Sequence, residues 1–576
     1  MKKAPMKPGA TLGAGLIFLL LFFLQGLFFI SANSPTYDEA MHIAAGYSYL
    51  ATGDFRLEPQ NPPLIKELLA LPLFLGYRLP FNPDAQHWRD GDRYLIGQHF
   101  LYGSTLSADQ ILFLTRIPNL VLGGALLALI GWWAYRLWGP RAAVLALALA
   151  SLEPNLVAHA SLVTTDIGAA LFVFFTVYLL WEYLRAPTWW MLSLVSSASG
   201  LALVAKFSTV LLIPLIPLLL GASLLIDPET RAVLPLTKRQ TLSNFKILKL
   251  TTPLFVVVLF VVVIVSLAYF FQGLSPWLSG LQRFMALARE GQPAFFWGEY
   301  SYVGWWNYFL MAFLIKTPLG SLILIGASLL FYRAGNSLRR REAIFILLPV
   351  IVIFVLTSQS KVNIGLRHIL LVYPFFFVLA SRLATVRFRR QWLAPLLLGM
   401  PLLMTAVSAI RNAPHQLAYF NELVGGPDQG YRYLSDSNVD WGQDLEGVKA
   451  YMEKENLSII YLSYFGTAPP AYYGIRYQYV PGNWPLEWPP PRDRVPDTAS
   501  RKLLAISVTN LQDIGYPYNP LFRWLWMRQP VAKIGYSIFV YDLTDDQEGL
   551  TKLEESYAKT GISLNSATQA SRQSLK

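Results

Sequence analysis

The chain contains no cysteine. Disulfides, thiolate metal sites and a cysteine nucleophile are thereby excluded. Nothing follows about compartment, because an extracytoplasmic protein need not use disulfides. Histidine is scarce too, with six in 576 residues and none in His-x-x-x-His spacing, so there is no zinc pattern. Charge is thin: 14% of residues are charged against 54% hydrophobic, and mean hydropathy is +0.40. That balance is too apolar for a soluble protein and fits a chain that crosses a membrane many times. The sequence has no Gly-rich nucleotide loop and no internal repeat. Its net charge of +12 is not a nucleic-acid footprint, because most Lys and Arg lie in short loops between apolar runs, where they set topology.

What is present is a series of such runs. A span takes about 20 apolar residues, and candidates lie at 12–30, 112–135, 142–159, 167–184, 189–205, 207–226, 252–271, 307–331, 343–357, 369–385 and 392–410. The expected fold class is therefore a polytopic α-helical membrane protein with about eleven transmembrane helices. Lys2, Lys3 and Lys7 precede the first run, which is long enough to span and has no small-residue cleavage pattern after it, so it reads as an uncleaved first span. Placing the N-terminus in the cytoplasm puts Arg136, Arg141, Arg185, Arg231, Lys238, Arg239, Arg333, Arg339 to Arg341, Arg382 and Arg387 inside. The short outside segments then hold little beyond Lys206, Arg283, Arg289, Lys361 and Arg367. This bias predicts a cell-membrane protein with its C-terminus on the extracytoplasmic side.

From about residue 411 the composition changes. Runs at 458–465, 503–508 and 534–541 read as strands, and 444–454 reads as a helix with Leu445, Val448 and Met452 on one face. The expected organisation is a membrane domain over 1–410, with a large first outer loop at 31–111. A soluble extracytoplasmic α/β domain follows over 411–576, with a proline-rich loop at Pro485–Pro496 and a mobile polar tail after Ser556.

Four features share the outer face in this topology: Asp38-Glu39 after the first span, Thr164-Thr165-Asp166, the aromatic loop 272–306, and Ser360 to His368. Acids at a membrane face are costly unless water, a cation or substrate compensates them. Asp38, Glu39 and Asp166 could serve as general bases toward a hydroxyl, which is a weak nucleophile until a carboxylate takes its proton. The competing reading is that Asp38 and Asp166 cap the helices they precede. Arg367 could grip a phosphate in bidentate fashion. Lys316, inside an apolar span, is a second candidate cation, with snorkelling to the interface as its alternative. His368 is grouped with Arg367 at the phosphate but reads as structural rather than metal-ligating. The segment Asp436 to Asp444 starts like a calcium loop but lacks Gly at the sixth position and an acid at the twelfth, which leaves an Asx-turn as the favoured reading.

Together, Asp38-Glu39, Asn61-Pro62-Pro63-Leu64-Ile65-Lys66 and Glu153-Pro154 leading to Asp166 resemble the polyprenyl-phosphate-sugar glycosyltransferases of the GT-C type. The likeness is to the protein O-mannosyltransferases and, more distantly, the lipid A aminoarabinose transferases, and it covers roughly 12–385. It implies Asp38 as the base or acceptor-orienting acid, Glu39 and Asp166 in support, and Arg367, Lys316, Lys66 and His368 around the donor phosphate. Asn61 falls at the acceptor loop, where the O-mannosyltransferases usually have His. No β-trefoil repeat follows, so a protein acceptor is not inherited with the likeness. The implied partners are a polyprenyl-phosphate-linked sugar, a hydroxyl acceptor (protein, lipid or glycan) and membrane lipid, with no nucleic acid. The resemblance assigns no cofactor, and a divalent cation is left open. A transporter or lipid flippase with an outer domain is the alternative from another class.

Overall fold

The structure, a computed structural model, describes residues 8–81, 88, 91–233, 244–331, 339–386, 395–482, 493–496 and 498–561. Within these, all eleven apolar runs fall on helix. Four helices are long and apolar enough to cross a membrane: Thr11–Ala32, Ala108–Trp138, Asp166–Arg185 and Phe207–Ile226. Two further runs are bent pairs, Pro140–Ser151 with Pro154–Ala160 at 67° and Tyr308–Lys316 with Leu319–Leu330 at 113°. Trp189–Ala205, Thr252–Ala268, Val372–Thr385 and Pro395–Arg411 are shorter apolar helices. The remaining run lies on Arg340–Thr357. The eleven expected spans thus fall on eleven helical segments, of which four, or six counting each bent pair as one, are long and apolar enough to cross a membrane.

Proline explains the two breaks. Pro154 and Pro318 lack an amide donor and cannot continue the preceding helix, and inside a membrane the freed backbone groups need partners from neighbouring elements. Asn155 links the two breaks: at the first its backbone N donates to the Glu153 carboxylate at 3.4 Å, and at the second its Nδ2 donates to the Lys316 carbonyl at 2.7 Å. The first break matters most, because the residues after it, Ser161 to Thr165, deliver Asp166.

The first outer loop folds into the helices Glu39–Thr52, Leu64–Gly76 and Arg93–Tyr102. The first two cross closely at Gly46, where a Cβ would lie 2.1 Å from the Lys66 carbonyl oxygen. The loop 272–306, expected to be an aromatic loop, contains the helix Ser275–Glu290 and a hairpin of β1 (Ala294–Phe296) and β2 (Glu299–Ser301).

The C-terminal region carries a five-stranded mixed sheet in the order β4-β3-β5-β7-β6, with β3 (Ile460–Ser463), β4 (Tyr477–Tyr479), β5 (Leu503–Ser507), β6 (Ala532–Ile534) and β7 (Ile538–Asp542). β3 runs parallel to β4 and β5, while β7 is antiparallel to β5 and β6. Alternation along the strands sorts two cores. Ile460, Leu462, Leu503, Ala505, Ile538 and Val540 pack with the helix Leu445–Lys454. Tyr461, Leu504, Ile506, Phe539 and Tyr541 join the hydrophobic core that continues through Phe420 and Tyr308 into the helices. The second face of the sheet therefore rests on the helical part. β4 and the helix Gln547–Thr560 were not foreseen. The tail expected after Ser556 instead continues this helix to Thr560; from 562 it lies outside the described residues, as does most of the Pro485–Pro496 loop.

Candidate active site

Asp38 and Glu39 are neighbours in sequence with opposite fates. Glu39 is fully buried. Arg116 donates to it twice, at 2.9 and 2.7 Å, and Val163 N, Thr36 N and Thr36 Oγ1 donate at 2.8, 2.8 and 3.1 Å. Burial alone would raise this carboxyl, but Arg116 and the backbone donors outweigh it and hold Glu39 below the usual carboxylate range. Glu39 is therefore a junction between the helix it starts, the helix Ala108–Trp138 and the segment before Asp166. With every donor around it satisfied by the protein, it has no open edge for substrate, which moves it from the expected catalytic set to a positioning role.

Asp38 points the other way. It occupies the N-cap of Glu39–Thr52 but makes no side-chain capping bond, so the capping alternative does not account for it. Its Oδ2 lies 3.3 Å from Arg367 Nη1, and its side chain keeps 21% exposure. The same Nη1 lies 4.0 Å from Asp166 Oδ2. Asp166, at 2% exposure, is held by Lys206 Nζ at 2.5 Å. The N-cap of its helix, Thr165, makes no side-chain capping bond either. Two acids and two bases thus form a line, Asp38, Arg367, Asp166 and Lys206, with only Asp38 substantially open.

The C-terminal region completes this site. The Arg367 guanidinium sits over the Trp441 ring at 4.3 Å, a cation–π contact that orients it. Arg367 Nε is buried and has no partner among the described residues. Ser34 N and Tyr37 N each donate at 2.8 Å, to the Gln443 and Trp441 carbonyls. Thr467 Oγ1 donates to the Tyr37 carbonyl at 3.1 Å, and the Tyr37 ring stacks on Phe465 at 5.2 Å. The backbone just ahead of Asp38 is therefore fastened to 441–467. Asp436, in a left-handed backbone conformation at φ +53, is another acid beside Arg367. Burial lifts its carboxyl to about 6, with Arg367 opposing and Asp38 adding to the rise.

Of the other expected phosphate ligands, Lys316 and Lys66 lie elsewhere, while His368 stays beside Arg367. Lys316 donates to the Leu417 carbonyl at 3.0 Å and to the Asn438 carbonyl, and covers the Phe420 ring at 4.6 Å, so it ties the helix break to the C-terminal region. His368 is half-buried, with its ring edge on Phe309 at 6.0 Å. Lys66 donates to Glu58 Oε2 at 3.1 Å, Tyr49 Oη at 3.2 Å and the Asn61 carbonyl at 2.9 Å. Glu58 also takes His42 Nδ1 at 2.9 Å and Asn61 Nδ2 at 2.6 Å. Burial would raise Glu58, but His42 and Lys66 together hold it below the usual range. Lys66 and Asn61 therefore belong to a second buried cluster, and Asn61 lines a cavity of about 510 Å³ with Arg56, Tyr269 and Arg283.

Lys206 and Trp441 were missed as site residues. Lys206 had a signal, since it is the one charge between the apolar runs 189–205 and 207–226. Trp441 had none beyond its place in the Asp436–Asp444 segment. There, Asp440 accepts from Thr509 N at 2.9 Å and Gly442 N at 3.3 Å, in keeping with the structural turn that was favoured.

Neither a protein-family profile nor a curated protein matches the chain. Among solved structures it is similar to ArnT from Cupriavidus metallidurans bound to undecaprenyl phosphate and to the same protein in the apo state, each at 14% identity and a TM-score of 0.48, over 93% and 92% of this chain and 98% of theirs.

Proposed function

We propose that the protein transfers a sugar from a polyprenyl-phosphate donor to an acceptor hydroxyl at the outer membrane face. The observation that carries the reading is the Asp38 carboxylate, open on one edge and sharing Arg367 with the buried Asp166–Lys206 pair. The sequence likeness to the GT-C glycosyltransferases supports it. In the proposed step Asp38 accepts the acceptor O–H proton, and the freed oxygen forms a bond to the anomeric carbon. The bond from that carbon to the phosphate oxygen breaks, and the electron pair leaves with the polyprenyl phosphate. Arg367 and Lys206 balance the growing phosphate charge in a low-dielectric setting where each cation counts for more than in water. One displacement inverts the anomeric centre through an oxocarbenium-like transition state. Lys206 takes the place given to Lys316, whose ammonium is held by carbonyls. The acceptor is left open, and neither a mannosyl donor nor protein glycosylation is part of the proposal.

The test is turnover of a sugar-labelled polyprenyl phosphate by reconstituted protein. A flippase would move the lipid across the bilayer intact, whereas a transferase separates sugar from lipid phosphate. Arg367→Ala is expected to weaken donor binding by about 1.5–3 kcal/mol, the range for a hydrogen bond to a charged group. A donor titration showing unchanged affinity in a folded variant removes Arg367 from the phosphate site.

Orientation has its own check, made simple by the absence of native cysteine. Cysteines at Asp54 and Asn456 should react with an impermeant thiol reagent in intact cells, and one at Arg239 should not. The opposite pattern reverses the topology and puts the site on the cytoplasmic face.

A further inference from the structure

We propose that the helix Ser275–Glu290 lies in the membrane interface, with a leucine-methionine stripe in the lipid and a polar stripe turned to the cavity beside it. Three anchors fix its level. Six residues, 269–274, separate it from the apolar helix ending at Ala268, which limits its start to roughly 20 Å from that helix end even when fully extended. Trp277 Nε1 donates to the Leu203 carbonyl at 3.0 Å, in the last turn of the apolar helix Trp189–Ala205. Gly280 packs on Phe207, where a Cβ would lie 2.8 Å from the ring, and Phe207 opens the span Phe207–Ile226. The helix therefore crosses the ends of apolar helices, at the depth where hydrocarbon gives way to headgroups.

Its two stripes fit that position. Leu274, Leu278 and Met285 share one face by helical spacing. They are exposed, Leu278 at 49% and Met285 at 44%, and Phe270 and Phe271 extend the apolar surface toward the preceding helix. Ser275, Ser279 and Arg283 line the cavity that Asn61 also lines, and the 100° step per residue puts them about 120° around from the leucines. Arg289 is exposed beside the stripe, placed as the cations of an interfacial helix are, toward anionic headgroups. An aqueous setting would leave this leucine face wet at the very edge of a bilayer. Lipid covers it without a protein partner.

Single cysteines at Leu278, Met285, Ser279 and Glu290 would be spin-labelled in protein reconstituted into phosphatidylethanolamine–phosphatidylglycerol vesicles. Collision with oxygen, which concentrates in lipid, would be compared with collision with a water-soluble nickel chelate. Oxygen should dominate at 278 and 285, and nickel at 279 and 290. Nickel dominance at all four positions, or oxygen dominance at all four, overturns the proposal. Unmodified protein in vesicles bearing a photoactivatable diazirine high on the acyl chain guards against misfolded variants: the peptide holding Leu278 and Met285 should carry the label, and an unlabelled peptide alongside labelled spans overturns the proposal equally. Both readouts are independent of sugar transfer, so they stand or fall apart from the catalytic reading.

Discussion

Asp38→Asn lowers sugar transfer by at least about 100-fold, the low end of what a general base contributes, while the protein still folds and still binds donor. The two side chains are nearly isosteric. The amide also keeps an oxygen that can accept from Arg367 Nη1, now 3.3 Å from Asp38 Oδ2. What the variant loses is the ability to take a proton from the acceptor. The readout is the initial rate at saturating donor and acceptor, with donor affinity measured separately. A retained rate places the base elsewhere, and Asp166 is then the first replacement candidate despite its 2.5 Å contact with Lys206.

Glu39→Gln has the largest expected effect on stability. Arg116 is almost wholly buried, and beyond Glu39 its hydrogen-bond partners among the described residues are the carbonyls of Ile30, Asn33 and Ser34. Removing the carboxylate strands that guanidinium in a dry setting, a change that costs about 3–5 kcal/mol for buried pairs. The new amide nitrogen would also have to face Val163 N or Thr36 N, both donors that now point at Glu39. Thermal unfolding in detergent should show a clear drop in midpoint, and an unchanged midpoint contradicts the junction role. The pH dependence follows from the depressed Glu39 pKa. Its contribution is complete above the usual carboxylate range and is lost as pH falls through its lower folded value.

The pair also shows how far the sequence could be read. Adjacent residues on a helix point about 100° apart, so Asp38-Glu39 as a string could not say which acid is buried and which is left open. That was decided by Arg116, 77 residues after Glu39 and inside an apolar run. The helical runs were legible because apolar length is a local property, and β3, β5 and β7 were legible as short β-rich runs between polar turns. The unequal span lengths depend on Pro154 and Pro318 and on whether a neighbour such as Asn155 can satisfy the broken ends, which is a tertiary matter. Lys316 looked like a free cation inside an apolar run because the Leu417 and Asn438 carbonyls that hold it are distant in sequence, and Lys66 was placed at the phosphate by resemblance, which carries no information about Glu58. Trp441 reaches Arg367 only through packing of the C-terminal region on the helices, and no spacing rule announces that contact.

The central claim is that this protein breaks the bond between a sugar and a polyprenyl phosphate with Asp38 as base. It is tested most directly with purified protein in detergent micelles, where no second leaflet exists, by measuring free polyprenyl phosphate and transferred sugar together from a doubly labelled donor. The expected result is release of the two products in equal amounts, dependent on acceptor and abolished in Asp38→Asn. Donor left intact by folded protein supplied with a range of hydroxyl acceptors, or equal turnover by Asp38→Asn, would contradict it.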